Sequence, residues 1–128
     1  MGTKNLKQKV LFAAEPEKVY SLLMDSKKHS AFTGAKAVIS PKEGGKFSAY
    51  DGYNTGVNVK LIPGKLIKQT WRASDWEDGY YSEVTFKFKA VKNGTEMEFT
   101  HKGIPAEQYA DIKNGWIEYY WTPMKSML

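Results

Sequence analysis

The chain contains no cysteine. Disulfide staples, thiolate metal sites and cysteine nucleophiles are therefore excluded, and the composition is compatible with a reducing cytoplasm. Arginine is nearly absent too: Arg72 stands alone among 19 basic residues. Proteins that read nucleic acid usually present guanidinium forks to phosphates and guanine edges. The lysines are scattered and often sit beside Glu or Asp, so the net charge of +5 reads as a solvated surface and no nucleic-acid partner is expected. The same surface could meet an acidic protein. The two histidines, His29 and His101, are far apart and lack His-Glu-x-x-His spacing, so neither a metal nor another cofactor is expected. No apolar run has membrane-spanning length and no signal core precedes the first strand pattern, so no membrane partner is expected. Gly2 does not open a myristoylation signal, because Leu6 occupies the position that needs Ser or Thr. Gly44-Gly45 lacks the longer glycine pattern and following helix of a phosphate cradle and reads as a turn.

What is abundant is aromatic residues, and they crowd at the C-terminal end. Gly115 to Leu128 packs Trp116, Tyr119, Tyr120 and Trp121 into six positions. Trp116, Tyr120, Met124 and Met127 follow helical spacing, and Ile117, Trp121, Met124 and Leu128 repeat it one residue later. The spacing predicts a helix over Ala106–Leu128, covered on most sides, weakened at Gly115 and bent near Pro123. With 128 residues, 41% hydrophobic and 26% charged, the chain suits one globular domain over residues 1–128.

The rest reads mostly as short strands. Leu6–Ala14 alternates as a strand. Glu15-Pro16-Glu17 starts a helix with Val19, Leu22 and Leu23 inward, and Asp25-Ser26 caps a second short helix, Lys27–Phe32. Strands are expected over Lys36–Ser40, Lys46–Tyr50, Gly56–Ile62, Leu66–Ala73, Tyr80–Ala90 and Thr95–Lys102. Asp51-Gly52 is a two-residue hairpin signal, and Pro63-Gly64 and Lys92-Asn93-Gly94 mark further turns. On the fourth of these strands Ile67, Gln69 and Trp71 share a face; on the next, Val84, Phe86 and Phe88; on the last, Met97, Phe99 and His101. Tight turns imply antiparallel pairing, with a helix covering one face. The fold class expected is α+β: a curved antiparallel sheet of about seven strands around a long C-terminal helix, with two short helices after the first strand.

Several segments carry a family resemblance over about Leu6–Leu128. They are Ala31-Phe32-Thr33-Gly34, Gly44-Gly45-Lys46-Phe47 with Asp51-Gly52 and Gly56, and Leu61-Ile62-Pro63-Gly64-Lys65. Trp71-Arg72, Trp76, Gly79, Val84-Thr85-Phe86, His101-Lys102-Gly103-Ile104-Pro105, Gly115-Trp116 and Tyr119-Tyr120-Trp121 complete the set. In this order they resemble the C-terminal domain of the activator of heat-shock protein 90 ATPase family, within the START-like (Bet v 1-like, SRPBCC) helix-grip superfamily. The resemblance implies a seven-stranded sheet gripping the C-terminal helix, with a cavity between. In eukaryotic relatives the domain follows a separate N-terminal domain, and the pair binds the chaperone and stimulates its ATP hydrolysis. A stand-alone domain such as this chain is expected to be resembles the bacterial branch. Other START-like proteins bind hydrophobic small molecules, and a few act as polyketide cyclases or dehydratases.

The main expectation is a binding module holding a small hydrophobic or amphipathic ligand in a cavity lined by Phe47, Gln69, Trp71, Phe86, Phe99, His101, Trp116 and Tyr120. The first alternative is a co-chaperone-like protein directed at heat-shock protein 90. The second is a cyclase- or dehydratase-like enzyme, for which His101 is the single acid/base candidate. Each residue also has a plainer reading. His101 suits a hydrogen-bonded strand-end histidine, Gln69 a buried amide, His29 a surface residue, and Arg72 a surface ion pair with Glu83. The aromatics Phe12, Phe47, Trp71, Phe86, Phe88, Phe99, Trp116, Tyr120 and Trp121 suit core.

Overall fold

The computed structural model describes residues 2–128; Met1 lies outside the described residues. The elements run β1 (Thr3–Phe12), α1 (Pro16–Met24), α2 (Ser26–Thr33), β2 (Val38–Ile39), β3 (Lys46–Ala49), β4 (Asn54–Ile62), β5 (Leu66–Ala73), β6 (Ser82–Val91) and β7 (Gly94–Pro105). A short 3-10 turn at Ala106–Gln108 leads into α3 (Tyr109–Trp116), a π-helical turn at Ile117–Trp121, and α4 (Thr122–Met127). The strands form one seven-stranded antiparallel sheet in the order β1-β7-β6-β5-β4-β3-β2. This is the α+β helix-grip arrangement expected from the chain.

Curvature follows from what the C-terminal helix touches. Trp121 donates its indole N–H to Gln8 of β1, while the Tyr50 hydroxyl, just past β3, donates to the Tyr119 carbonyl. Five strand spacings separate β1 from β3, about 24 Å in a flat sheet, whereas a helix is only about 10–12 Å wide. Only a sheet wrapped around the helix lets both contacts form.

The alternation expected for β5, β6 and β7 places Ile67, Gln69, Trp71, Val84, Phe86, Phe88, Met97, Phe99 and His101 inside. On the outer face Lys7 and Lys9 meet Glu98 and Glu96. The bracket between β1 and β2 is capped as its residues suggest. Asp25 ends α1 and accepts a hydrogen bond from the Lys28 N–H at the start of α2, and Gly34 closes α2 with a left-handed φ of 74°.

Three local features depart from simple patterning for physical reasons. The valines of β4 suggest an inward face at Val57 and Val59, but Asn54, Gly56 and Asn58 point in and Val59 is exposed. Phe47 lies over Gly56, where a Cβ would meet the Thr70 carbonyl and the Phe47 ring, so only glycine fits. Asn58 satisfies its amide on the Ser40 and Lys42 carbonyls and on Gln69, which makes the polar face affordable inside. The β3–β4 turn is centred on Asp51-Gly52 but is longer than a two-residue hairpin loop: Ala49 pairs with Asn54, and Tyr50, Asp51 and Gly52 all take left-handed φ, at 52°, 56° and 92°. The helix, finally, is not one regular α-helix with a wide covered stripe.

That last difference comes from the π-helical turn. Its wider loop brings the fifth residue on, as well as the fourth, beside the first. Tyr120 and Trp121 therefore both pack against Trp116, at 4.7 and 5.4 Å between ring centroids. Ile117, which a regular helix would align with Trp121, is exposed, as are Tyr119 and Met127. Pro123 has no N–H to offer the Tyr119 carbonyl four residues back, and the Tyr50 hydroxyl supplies that donor at 2.8 Å.

Candidate functional site

The C-terminal helix meets the sheet in two different ways, and Trp116 divides them. On one side its ring lies 4.5 Å from Phe99 and stacks on Trp121, with Phe86 edge-on. On the other it helps line a cleft of about 570 Å³.

Two buried histidines tie the C-terminal helix to the rest of the fold. His101 is fully buried at the inner face of β7. The Trp116 indole can only donate, so its 3.1 Å contact to His101 Nδ1 makes that nitrogen the acceptor. His101 Nε2 then carries the proton and donates to Ser82 Oγ at 2.7 Å, and Ser82 donates to the Trp71 carbonyl. Burial lowers the His101 pKa to about 3, so the imidazole is neutral near pH 7. Both nitrogens are engaged, which matches the plainer reading of a hydrogen-bonded strand-end histidine.

His29 is a correction: expected at the surface, it is buried. Its Nδ1–H donates to the Leu23 carbonyl, and Nε2 accepts from the Tyr120 hydroxyl at 3.0 Å. Burial lowers its pKa, offset in part by the carbonyl bond, and burial likewise pushes the Tyr120 phenol up. The cue was Phe32 three residues on in the same helix: His29 and Phe32 share its inner face, with rings 4.8 Å apart. Arg72 is a second correction. Glu83 pairs with Lys68 at 3.6 Å, while Arg72 donates to the Trp76 and Glu77 carbonyls and so organises the β5–β6 loop.

The cleft lies between the β3–β5 end of the sheet and the helix. Trp71, Ala73, Ile112, Gly115 and Trp116 line its depth, and Tyr50, Tyr53, Asp75, Gln108, Asp111 and Tyr119 its mouth. Gly115 and Ala73 are small, which keeps the space open. Of the eight residues expected around a cavity, Trp71, Trp116 and Tyr120 line this cleft. The structure does not bring the other five to it. Phe86, Phe99 and His101 pack beneath Trp116, Gln69 donates to Asn58, and Phe47 covers Gly56. Tyr50 supports the mouth from a left-handed backbone, a conformation that costs a bulky residue about 1–3 kcal/mol.

Sequence reasoning missed Asn54. It begins β4, is 4% exposed and lines the cleft. Its carboxamide makes no hydrogen bond to the described residues and, since no fully buried side-chain polar atom is unpaired among them, reaches the open space of the cleft. The other buried polar side chains, His29, Asn58, Gln69, Ser82, Thr95 and His101, all find partners. No sequence signal separates Asn54 from an ordinary turn asparagine, because its environment is set by β5 and the helix. Among the described residues no group of three His, Asp or Glu side chains could share a metal ion. No described helix is long and apolar enough to cross a membrane.

The family model described as "Activator of Hsp90 ATPase homolog 1-like protein" matches residues 13–128. An "Activator of 90 kDa heat shock protein ATPase homolog" from Dictyostelium discoideum is 39% identical over 115 residues, 89% of this chain and 30% of that protein. The mouse "Activator of 90 kDa heat shock protein ATPase homolog 1" is 33% identical over 117 residues, 91% of this chain and 35% of that one. The chain thus spans about a third of the length of these relatives, and the likeness extends to eukaryotes. A crystal structure of an HSP90 activator from Plasmodium falciparum superposes with a TM-score of 0.92 at 27% identity, covering 98% of this chain and 96% of that one. The fold is shared with the Aha1 dimer from Colwellia psychrerythraea, at a TM-score of 0.79 and 20% identity, over 93% of this chain and 92% of that one. By the span of the family match, from the end of β1 through the whole helix, the chain belongs to the activator of Hsp90 ATPase homolog 1-like family.

Proposed function

We propose that this chain is a chaperone-directed domain that docks on heat-shock protein 90 and favours its ATP hydrolysis. The observation that carries this reading is the likeness to the Plasmodium falciparum HSP90 activator, which covers nearly all of both chains. The charge supports it: an excess of lysine, giving +5 overall, suits an acidic docking face and fast encounter. The test is binding to the host chaperone at low and moderate salt, with ATPase rate read separately. A salt-sensitive complex with a raised ATPase rate is the expected result. Absence of any complex at low salt would overturn the reading, and binding without stimulation would reduce it to docking.

A second reading has its own observation. A cleft of about 570 Å³ falls in the size range of small-molecule sites, and Asn54 offers it an unpaired carboxamide. On this reading Trp71, Trp116 and Tyr120 contact a small amphipathic ligand, while Phe47, Gln69, Phe86, Phe99 and His101 hold the walls from behind. Native mass spectrometry of protein purified from its own host, beside a denatured control, tests it. A co-purified small molecule supports the reading; an empty protein that also fails to bind amphipathic probes counts against it. The cyclase or dehydratase reading depends on His101 and ranks behind both, since both ring nitrogens are already engaged.

A further inference from the structure

We propose that the cleft takes a small organic cation, an ammonium group carried on an apolar body. The inference rests on the second reading above and adds the charge of the ligand. In a chain of net charge +5, the charged residues that line the cleft are both acidic, Asp75 and Asp111, and no lysine or arginine lines it. They come from opposite walls, Asp75 from the loop after β5 and Asp111 from α3. Both are exposed, and neither forms an ion pair among the described residues. Tyr53 stands between them: its hydroxyl donates to Asp75, and burial first, then the two carboxylates, hold its pKa above the usual phenol value. The mouth is therefore a region of negative potential on a positive protein.

What lies deeper suits the rest of such a ligand. Trp71, Trp116 and Tyr120 present aromatic surface, whose faces attract cations as well as apolar groups. Asn54 supplies the independent sign of a ligand. No fully buried side-chain polar atom lacks a partner among the described residues, so this carboxamide, 4% exposed as a residue and without a protein partner, turns its polar end to the open cleft. With no protein group fixing its orientation, it can turn its oxygen toward an ammonium N–H. An anionic ligand would face two carboxylates, and a neutral one would desolvate them without return.

The experiment titrates the full chain with phenylbutylamine, phenylbutanol and phenylbutyrate at low salt, read by backbone amide NMR shifts and tryptophan fluorescence. The expected result is shifts confined to residues around the cleft, with the amine about tenfold tighter than the alcohol and the carboxylate weakest. The Asp75→Asn/Asp111→Asn double variant, with an unchanged melting temperature, then loses the preference for the amine. Asn54→Ala weakens the amine while leaving the fold intact. Equal binding of alcohol and amine in the cleft would overturn the cation and leave the cleft reading standing. No cleft shift with any of the three probes would overturn both. Amine shifts scattered over acidic residues elsewhere, such as Glu96 and Glu98, would also overturn the cation, as non-specific attraction.

Discussion

Between β1 and β6 the C-terminal helix is pressed onto the sheet, and every buried polar group there is paired: Trp116 with His101, Trp121 with Gln8, Ser82 with the Trp71 carbonyl. Between β3 and β5 the same helix stands off, small residues leave space, and Asn54 goes without a partner. The difference separates a filled half of the interior from an open one. No fully buried side-chain polar atom goes unpaired among the described residues, so the Asn54 carboxamide faces the cleft, and the contrast is between polar groups closed on the protein and one left open to the cleft.

The largest effect expected of that contrast comes from matched truncations. Phe99→Ala removes a fully buried ring and should cost about 3–5 kcal/mol, whereas Tyr53→Ala, at the exposed mouth, should cost less than about 1 kcal/mol. Urea denaturation midpoints give both values, and equal losses would mean that the cleft is no softer than the core.

Acid sharpens the comparison next. A histidine in the unfolded chain titrates near pH 6.5, and burial lowers His101 to about 3 and lowers His29 as well. Below about pH 6.5 the unfolded chain binds protons that the folded one refuses. Stability is therefore complete above that pH and falls as pH drops toward 3, by on the order of 4–5 kcal/mol for His101. His101→Gln keeps one donor and one acceptor and should flatten this limb. His29→Gln should flatten it less, because the Leu23 carbonyl already offsets part of that shift. Midpoints measured near pH 7 and near pH 5 read the slope; a limb unchanged in both variants would remove the histidines as its source.

A smaller loss is expected for Tyr120→Phe, which leaves His29 Nε2 without its donor and should cost about 1–2 kcal/mol by thermal melt. Asn54→Ala should sit within about 0.5 kcal/mol of the parent in the same assay, since no intramolecular bond is lost. A loss of 2 kcal/mol or more would show that Asn54 is structural after all.

The strands and their faces were legible wherever hydrophobicity alternated without conflict, as along Val84-Thr85-Phe86-Lys87-Phe88. At β4 alternation alone does not give the face: Val57, Val59 and Leu61 alternate with polar residues, yet Asn54, Gly56 and Asn58 point inward. There the decision belonged to Phe47 lying over Gly56 and to carbonyls of the Ser40–Lys42 turn waiting for Asn58. The helix was legible as a helix, and its core aromatics as core. Its π-helical turn was not, because regular spacing cannot show one extra residue in a turn that tertiary packing of Trp116, Tyr120 and Trp121 stabilises. Of the site, Trp71, Trp116 and Tyr120 could be found from periodicity. Tyr50, Tyr53, Asp75 and Asp111 lie in turns or on a helix flank far apart in sequence, and only the closing of the sheet brings them to one mouth.

The sequence by itself determined the antiparallel helix-grip fold and the family, because turn residues, alternation and an aromatic helix all act locally and agree. Only the tertiary structure decided that His29 is inside, that Arg72 serves a loop, and which half of the interior is filled. Those outcomes depend on which side chains meet across the curved sheet, and burial energies and hydrogen-bond partners exist only once they have met.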